Sequence, residues 1–140
     1  MSYDSNNVFA RILRGELPCI RIYEDETTLA FMDLMPQSDG HTLVVPKEAA
    51  ATIFDISPDT LATTIQVTQK IARAVQKATE APGVMIGQFN GAAAGQTVPH
   101  LHFHIIPRHG GEVLRAHARE QESREKLEAM AQRIIAALEK

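Results

Sequence analysis

Three histidines stand at alternate positions in one short run, His100-Leu101-His102-Phe103-His104-Ile105-Ile106. In extended backbone the side chains alternate between two faces. The three imidazoles therefore face one way, and Leu101, Phe103 and Ile105 face the other. The apolar face must be the buried one, and the imidazole face then lines a surface or a cleft. Three readings fit such a face. The plainest is a solvated polar surface, although Thr, Lys or Glu would be the usual occupants. The second is a metal site. His-x-His side chains start ~6.6 Å apart and can converge on one ion, whereas His100 and His104 start ~13 Å apart. A further ligand would have to come from His41, Asp33 or Asp39. The third is catalysis on an anion. A neutral imidazole is a good nucleophile toward phosphorus and a protonated one is a good cation. One ring can attack while its neighbour holds charged oxygens.

The segment just before the histidines supports the third reading. Gly91 and Gly95 let backbone N–H groups approach an anion, and Ala92 to Ala94 leave room for it. Gln96 and Thr97 add neutral hydrogen-bonding groups. Asn90 closes the preceding expected strand and can aim an amide at the same place. By themselves the glycines would read as a plain flexible turn.

The elements that must position these groups follow from periodicity and punctuation. Val8, Phe9, Ile12 and Leu13 recur at helical spacing within 6–14, and Gly15 and Pro18 end that helix. Residues 20–24 alternate and read as a strand, Asp25 and Glu26 suit a tight turn, and residues 28–33 read as a second strand. A third strand covers 41–45 and is stopped by Pro46. The clearest helix covers 57–79, with Ser57 as N-cap and Pro58 in its first position. Its expected inward stripe is Leu61, Ile65, Thr68, Ile71, Ala72 and Val75. Residues 84–90 and 100–106 read as the fourth and fifth strands, the last closed by Pro107. A final helix is expected over 117–139, with Leu127, Met130, Ile134 and Leu138 on one side. Ion pairs from Glu120 to Arg124 and from Glu122 to Lys126 would support it. Consecutive strands with short turns give an α+β fold with an antiparallel five-stranded sheet and a long helix.

Composition narrows the function classes. The chain has 140 residues, 44% of them hydrophobic and 22% charged, which suits one globular domain. Lys plus Arg is 14 against 17 for Asp plus Glu, a net charge of −3. No positive field is available for general binding to nucleic acid or to an anionic membrane. The single cysteine, Cys19, excludes a disulfide within the chain and any Cys-x-x-Cys metal site. The polar N-terminal stretch is not a secretory signal, and no run approaches the ~20 apolar residues of a membrane span. A cytoplasmic protein is expected.

The run Gln96-Thr97-Val98-Pro99-His100-Leu101-His102-Phe103-His104-Ile105-Ile106 resembles the signature of the histidine triad (HIT) family, His-x-His-x-His followed by two apolar residues. Ile20 to Asp33 resembles the family's first hairpin, and Gly40-His41-Thr42-Leu43-Val44-Val45-Pro46-Lys47 its next strand. Phe89-Asn90-Gly91 also fits. The likeness covers roughly residues 8–108 in order, which makes it more specific than the triad alone. It divides the chain into a HIT domain over 1–111 and a C-terminal helical extension of the same domain over 112–140.

The resemblance implies an α+β homodimer with the sheet extended across the two subunits. It implies cleavage at the α-phosphate of a bound purine nucleotide. His102 would be the nucleophile and carry a transient nucleotidyl group. His104 would bind the phosphate oxygens and the leaving side, and His100 would support the His102 ring through its backbone carbonyl. Asn90, Gln96 and Thr97 match phosphate-contacting positions, with Thr97 where many relatives carry Ser. Asp33 matches the acid that binds the ribose hydroxyls, for which a carboxylate is a natural bidentate acceptor. Val8, Phe9, Ile12, Leu17, Phe31 and Leu34 match the apolar slot for the base, and His41 matches a histidine close to the triad. Each has a plainer role beside it: Asp33 as a cap on the strand turn, Phe9, Ile12 and Phe31 as core, His41 as a hydrogen-bonded structural residue.

Two departures stand out. Some members hold a structural zinc through a Cys-x-x-Cys near the N-terminus, a histidine after the Pro-Lys and the first triad histidine. Here Asn7, Ala10 and Ala49 occupy those places and only His100 remains, so neither zinc nor another cofactor is expected. The second departure is the long C-terminal segment, where Arg115 or His117 could reach the leaving group or simply be solvated. The expected activity is an AMP-releasing phosphoramidase. Hydrolysis of a dinucleoside polyphosphate, or nucleotide binding with little turnover, are the alternatives.

Overall fold

The computed structural model describes residues 3–115 and 121–138. Its elements are α1 (Val8–Leu13), β1 (Arg21–Glu24), β2 (Thr28–Met32), β3 (Thr42–Pro46), α2 (Pro58–Thr79), β4 (Gly83–Gly87), a 3-10 turn (Ala92–Ala94), β5 (Phe103–Arg108) and α3 (Arg124–Leu138). The strands form one antiparallel sheet in the order β1-β2-β3-β5-β4.

Every residue of β2 and β3 is buried, because both faces of the sheet are covered. On one face Ala30, Met32, Val44, Phe103 and Ile105 pack against Val67, Ile71 and Val75 of α2 and Leu127 and Ile134 of α3. On the other, Leu29, Phe31, Leu43 and Val45 pack under Phe9 of α1. Fully burying an aliphatic side chain of this kind is worth about 1.5–3 kcal/mol over leaving it exposed. The site lies on the α1 face.

Helix α2 starts where its sequence dictates. The Ser57 hydroxyl caps the Thr60 N–H, and the Ser57 backbone N–H and hydroxyl donate to Glu48 at 2.9 and 2.7 Å. Its buried stripe is Thr64, Val67, Thr68, Ile71, Ala74 and Val75. Ile65, expected inside, is 45% exposed. Threonine can replace it in the buried stripe because Thr64 and Thr68 donate their hydroxyl hydrogens to the carbonyls of Thr60 and Thr64, at 2.7 and 2.8 Å.

Several boundaries differ from expectation, each for a tertiary reason. The fifth strand begins at Phe103 instead of His100. The N–H groups of His100 and Leu101 donate to Val98 and Ala50 in loops, at 2.8 Å each, so these residues never join the sheet. The strand also runs through Pro107 to Arg108. Its pairing with β3 stops at Ile105, so no strand partner on that side requires the N–H that proline lacks. β4 stops at Gly87, opposite His104, where β5 has almost reached its own start. In the expected final helix, residues 117–120 and 139 lie outside the described residues, and with them the Glu120 to Arg124 pair. Residues 121–123 are not helical. The Glu122 N–H is taken by the Leu34 carbonyl at 2.9 Å, and Ser123 caps α3 through the Lys126 N–H at 3.3 Å. The Glu122 to Lys126 pair forms at 3.3 Å across this start. Among the described residues, no helix is long and apolar enough to cross a membrane.

Candidate active site

Both sides of the histidine run are buried, which corrects the expectation of a single buried face. His100, His102 and His104 are 0%, 5% and 3% exposed. The polar side is covered by α1 and its flanks. The Phe9 ring meets His102 edge-on at 4.8 Å, and the rings of His102 and His104 lie 4.9 Å apart. The three rings do not share one environment. His102 and His104 line a pocket, whereas His100 turns to partners of its own.

Those partners determine which ring nitrogen carries each proton, because a backbone N–H only donates and a carbonyl only accepts. His100 Nε2 lies 2.8 Å from the Pro46 carbonyl and donates to it. Its Nδ1 therefore accepts, from the Tyr3 hydroxyl at 2.5 Å. Burial holds the His100 pKa below the ordinary imidazole value, against the opposing pull of the Pro46 carbonyl, and the ring is neutral near pH 7. His102 Nδ1 donates to the His100 carbonyl at 2.6 Å, which puts the lone pair on Nε2. At His41 the Gln37 N–H donates to Nδ1 at 3.0 Å, so Nε2 carries the hydrogen. That hydrogen lies between His41 Nε2 and His104 Nδ1, 2.9 Å apart. In the neutral pair His104 then carries its own hydrogen on Nε2. The Asp33 carboxylate stands 3.4 Å from His41 Nε2 and accepts from the Met35 N–H at 2.8 Å. His41 gains its place from Gly40, whose φ of +101° suits glycine and whose position leaves no room for a Cβ against Thr79.

The pocket, a cavity of about 190 Å³, is lined by Val8, Phe9, Ile12, Phe31, Asp33, Leu34, Thr97, His102 and His104 among the residues singled out in the sequence. Pro18, Cys19, Met32, Met35, Leu43 and Val98 complete it, and nothing in the sequence alone marked them. It is smaller than the usual ligand cleft of roughly 300–1,000 Å³. Its lining is mostly apolar, and its polar side chains are His102, His104, Thr97 and Asp33. Burial raises the Cys19 thiol pKa above its usual value, so this residue serves the wall as a small neutral side chain.

Other expected residues stand behind or beside the pocket. His41 and His100 support its wall, and Leu17 is not part of it. Gln96 accepts from the Gly91 N–H at 2.7 Å and donates to the carbonyls of Ala51 and Val98 at 2.6 and 3.0 Å. It holds the small-residue loop in shape. Asn90 accepts from the Ile53 N–H at 2.7 Å and exchanges hydrogen bonds with Gln88. Arg115 is tied to the loop after Asp33, through both backbone and side chain of Gln37 and through Asp39 at 2.7 Å. His117 lies outside the described residues. Tyr3 and Gln37 were missed, with no periodicity or motif to link them to the triad, and Asn7 entered the sequence reading only as the place of an absent zinc ligand.

Asp33, His41 and His104 also bring three potential metal-ligating atoms within 4.8 Å of one another. The two nitrogens at 2.9 Å are closer than two nitrogens on one zinc. With bonds of ~2.0–2.1 Å in a tetrahedral shell, those stand about 3.3 Å apart. The spacing suits a shared hydrogen better than a shared ion. Asp39 pairs with Arg115 and Lys126 on the surface instead.

Residues 14–111 match the HIT domain family. The chain is 42% identical over 101 residues to an adenylylsulfatase from Arabidopsis thaliana, covering 72% of this chain and 51% of that protein. It is 39% identical over 101 residues to an adenosine 5'-monophosphoramidase from Schizosaccharomyces pombe, covering 72% and 73%. Its fold is similar to a Hit-like protein involved in cell-cycle regulation from Bartonella henselae, crystallised with an unknown ligand. That similarity has a TM-score of 0.91 and 49% identity, over 97% of this chain and 99% of that one.

Proposed function

The chain belongs to the HIT family, and from that premise we propose that it is a nucleotide hydrolase or nucleotidyl transferase acting at the α-phosphate of a purine nucleotide. The observation that carries this reading is the state of His102. Its Nδ1–H is committed to the His100 carbonyl, so the nucleophilic lone pair resides on Nε2 of a ring lining an apolar pocket. In this reading the base enters between Phe9, Ile12, Phe31 and Leu34, and Asp33 receives the ribose hydroxyls. The Thr97 hydroxyl and His104 Nε2–H face the phosphate, with Gln96 and Asn90 shaping the loop around it.

His102 Nε2 attacks phosphorus in line. As the P–Nε2 bond forms, the bond to the leaving amine or oxygen breaks, the electron pair stays on the leaving atom, and that atom takes a proton from solvent while the His104 Nε2–H donates to a phosphate oxygen. Water then attacks phosphorus, the P–Nε2 electron pair returns to His102, the proton of the attacking water passes to solvent, and the nucleoside monophosphate departs. An amine-linked substrate, cleaved at a P–N bond, is preferred, and the S. pombe phosphoramidase supports it. The A. thaliana adenylylsulfatase supports an anhydride, cleaved at a P–O bond, as the second substrate class.

A panel of AMP-amides, adenylyl anhydrides and diadenosine polyphosphates, assayed for AMP release, tests the reading. His102→Ala is expected to abolish release while AMP still binds. Wild-type release by that variant contradicts the proposal. AMP binding with negligible release from every substrate by the wild-type protein would favour a regulatory nucleotide-binding module.

We also propose that β4 is the seam of a homodimer. It is an edge strand carrying Met85 and Ile86 at 40% and 44% exposure, with Phe89 and Ile65 as further exposed apolar residues. An apolar edge of this kind invites strand pairing, and a second copy supplies it symmetrically.

A further inference from the structure

His102 takes its orientation from the His100 carbonyl, so whatever holds residue 100 also holds the nucleophile. His100 is completely buried and is gripped at both ring nitrogens, by Pro46 and by Tyr3. The Pro46 carbonyl belongs to the sheet. The Tyr3 hydroxyl comes from the N-terminal arm, 97 residues away in sequence.

The hydroxyl is itself oriented. Asn7 Nδ2 donates to the Tyr3 oxygen at 2.8 Å, which directs the phenolic hydrogen toward His100 Nδ1. Asn7 is anchored in turn by the Asp4 carbonyl at 2.7 Å, and its Oδ1 caps α1 through the Ala10 N–H at 2.9 Å. The helix it caps carries Phe9, whose ring touches His102. The chain of donors thus runs Asn7 to Tyr3 to His100, and the His100 carbonyl then receives the His102 Nδ1–H. Tyr3 does not line the pocket.

We propose that Tyr3 is a positioning residue for His102: its hydroxyl holds the His100 ring as the Nε2–H tautomer and thereby steadies the carbonyl on which the nucleophile is seated. This rests on the reading of His102 as the nucleophile. Loss of the hydroxyl strands a buried lone pair, which is costly. The ring then shifts to recover a donor, and the His100 peptide moves with it. Small displacements of a nucleophile lower the rate steeply while leaving ground-state binding intact.

Two variants of the full chain test this. Tyr3→Phe removes the donor and keeps the ring. Asn7→Asp keeps the acceptor that caps α1, since Asp caps as well as Asn, but offers the Tyr3 hydrogen a carboxylate and draws it away from His100. Both are expected to lower kcat on an AMP-amide by about tenfold or more, with the AMP Kd within about twofold of wild type. In long-range 1H–15N spectra the His100 Nδ1 resonance should move toward that of an unbonded acceptor in both variants, and circular dichroism should show each variant folded at the assay temperature. Wild-type kcat in either variant, or an unmoved His100 resonance, overturns the proposal. Full turnover by His102→Ala would instead remove the nucleophile reading beneath it. An inactive His102→Ala beside a fully active Tyr3→Phe removes the Tyr3 role alone.

Discussion

His41 Nε2 and His104 Nδ1 lie 2.9 Å apart with one hydrogen between them, and the Gln37 N–H at His41 Nδ1 decides which ring supplies it. The His41 donor leaves His104 with its own hydrogen on Nε2, the form needed to meet an anionic oxygen or a leaving group.

His41→Ala is therefore expected to lower kcat by about a hundredfold, the usual worth of one positioned donor or acid. His41→Gln, whose amide N–H can still reach His104 Nδ1, should recover part of that loss. Steady-state kinetics on an AMP-amide reads both. Equal kcat for the alanine and glutamine variants would show that the donor is not what matters.

Stability should fall in mild acid because of His100. Its folded pKa is depressed, chiefly by burial. Below the unfolded imidazole value of about 6.5 the unfolded chain binds a proton that the folded chain refuses. Stability thus rises with pH in this range and is lost as pH drops from about 6.5 toward 5. Urea denaturation of wild type and His100→Asn at pH 8, 6 and 5 isolates the effect, since His41, His102 and His104 are common to both proteins. The variant should be less stable at pH 8 and show a flatter decline. Parallel declines would contradict the assignment.

Ile86→Asp places a charge on the edge strand at a residue that is 44% exposed. It is expected to convert a dimer to a monomer in sedimentation, with the fold retained by circular dichroism. A wild-type protein that sediments as a monomer at all concentrations would remove the proposed seam.

Much of the fold was legible because it follows local pattern. Turn residues and Pro46 bounded the strands around Phe31 and Val44, and Ser57-Pro58 marked the start of α2. The resemblance placed Val8, Phe9, Ile12, Phe31, Asp33, Leu34, Thr97, His102 and His104 together, and they do line one pocket. What escaped depends on tertiary partners. The strand begins at Phe103 because Ala50 and Val98 capture the preceding N–H groups. Ile65 turns outward because two threonines satisfy their own hydroxyls within the helix. Tyr3 reaches His100 across almost the whole chain, where no spacing rule operates. Pro18 and Cys19 enter the pocket from a connecting segment whose course no periodicity describes.

The central claim is that His102 Nε2 becomes bonded to phosphorus during turnover. Rapid quenching of the wild-type protein with a slowly turned-over AMP-amide, followed by peptide mass spectrometry, reads that bond directly. The expected result is an adenylyl adduct on His102 that forms and decays with turnover and is absent from His102→Ala. Active turnover in which no adduct accumulates under any quench, or an adduct located on another residue, would contradict it.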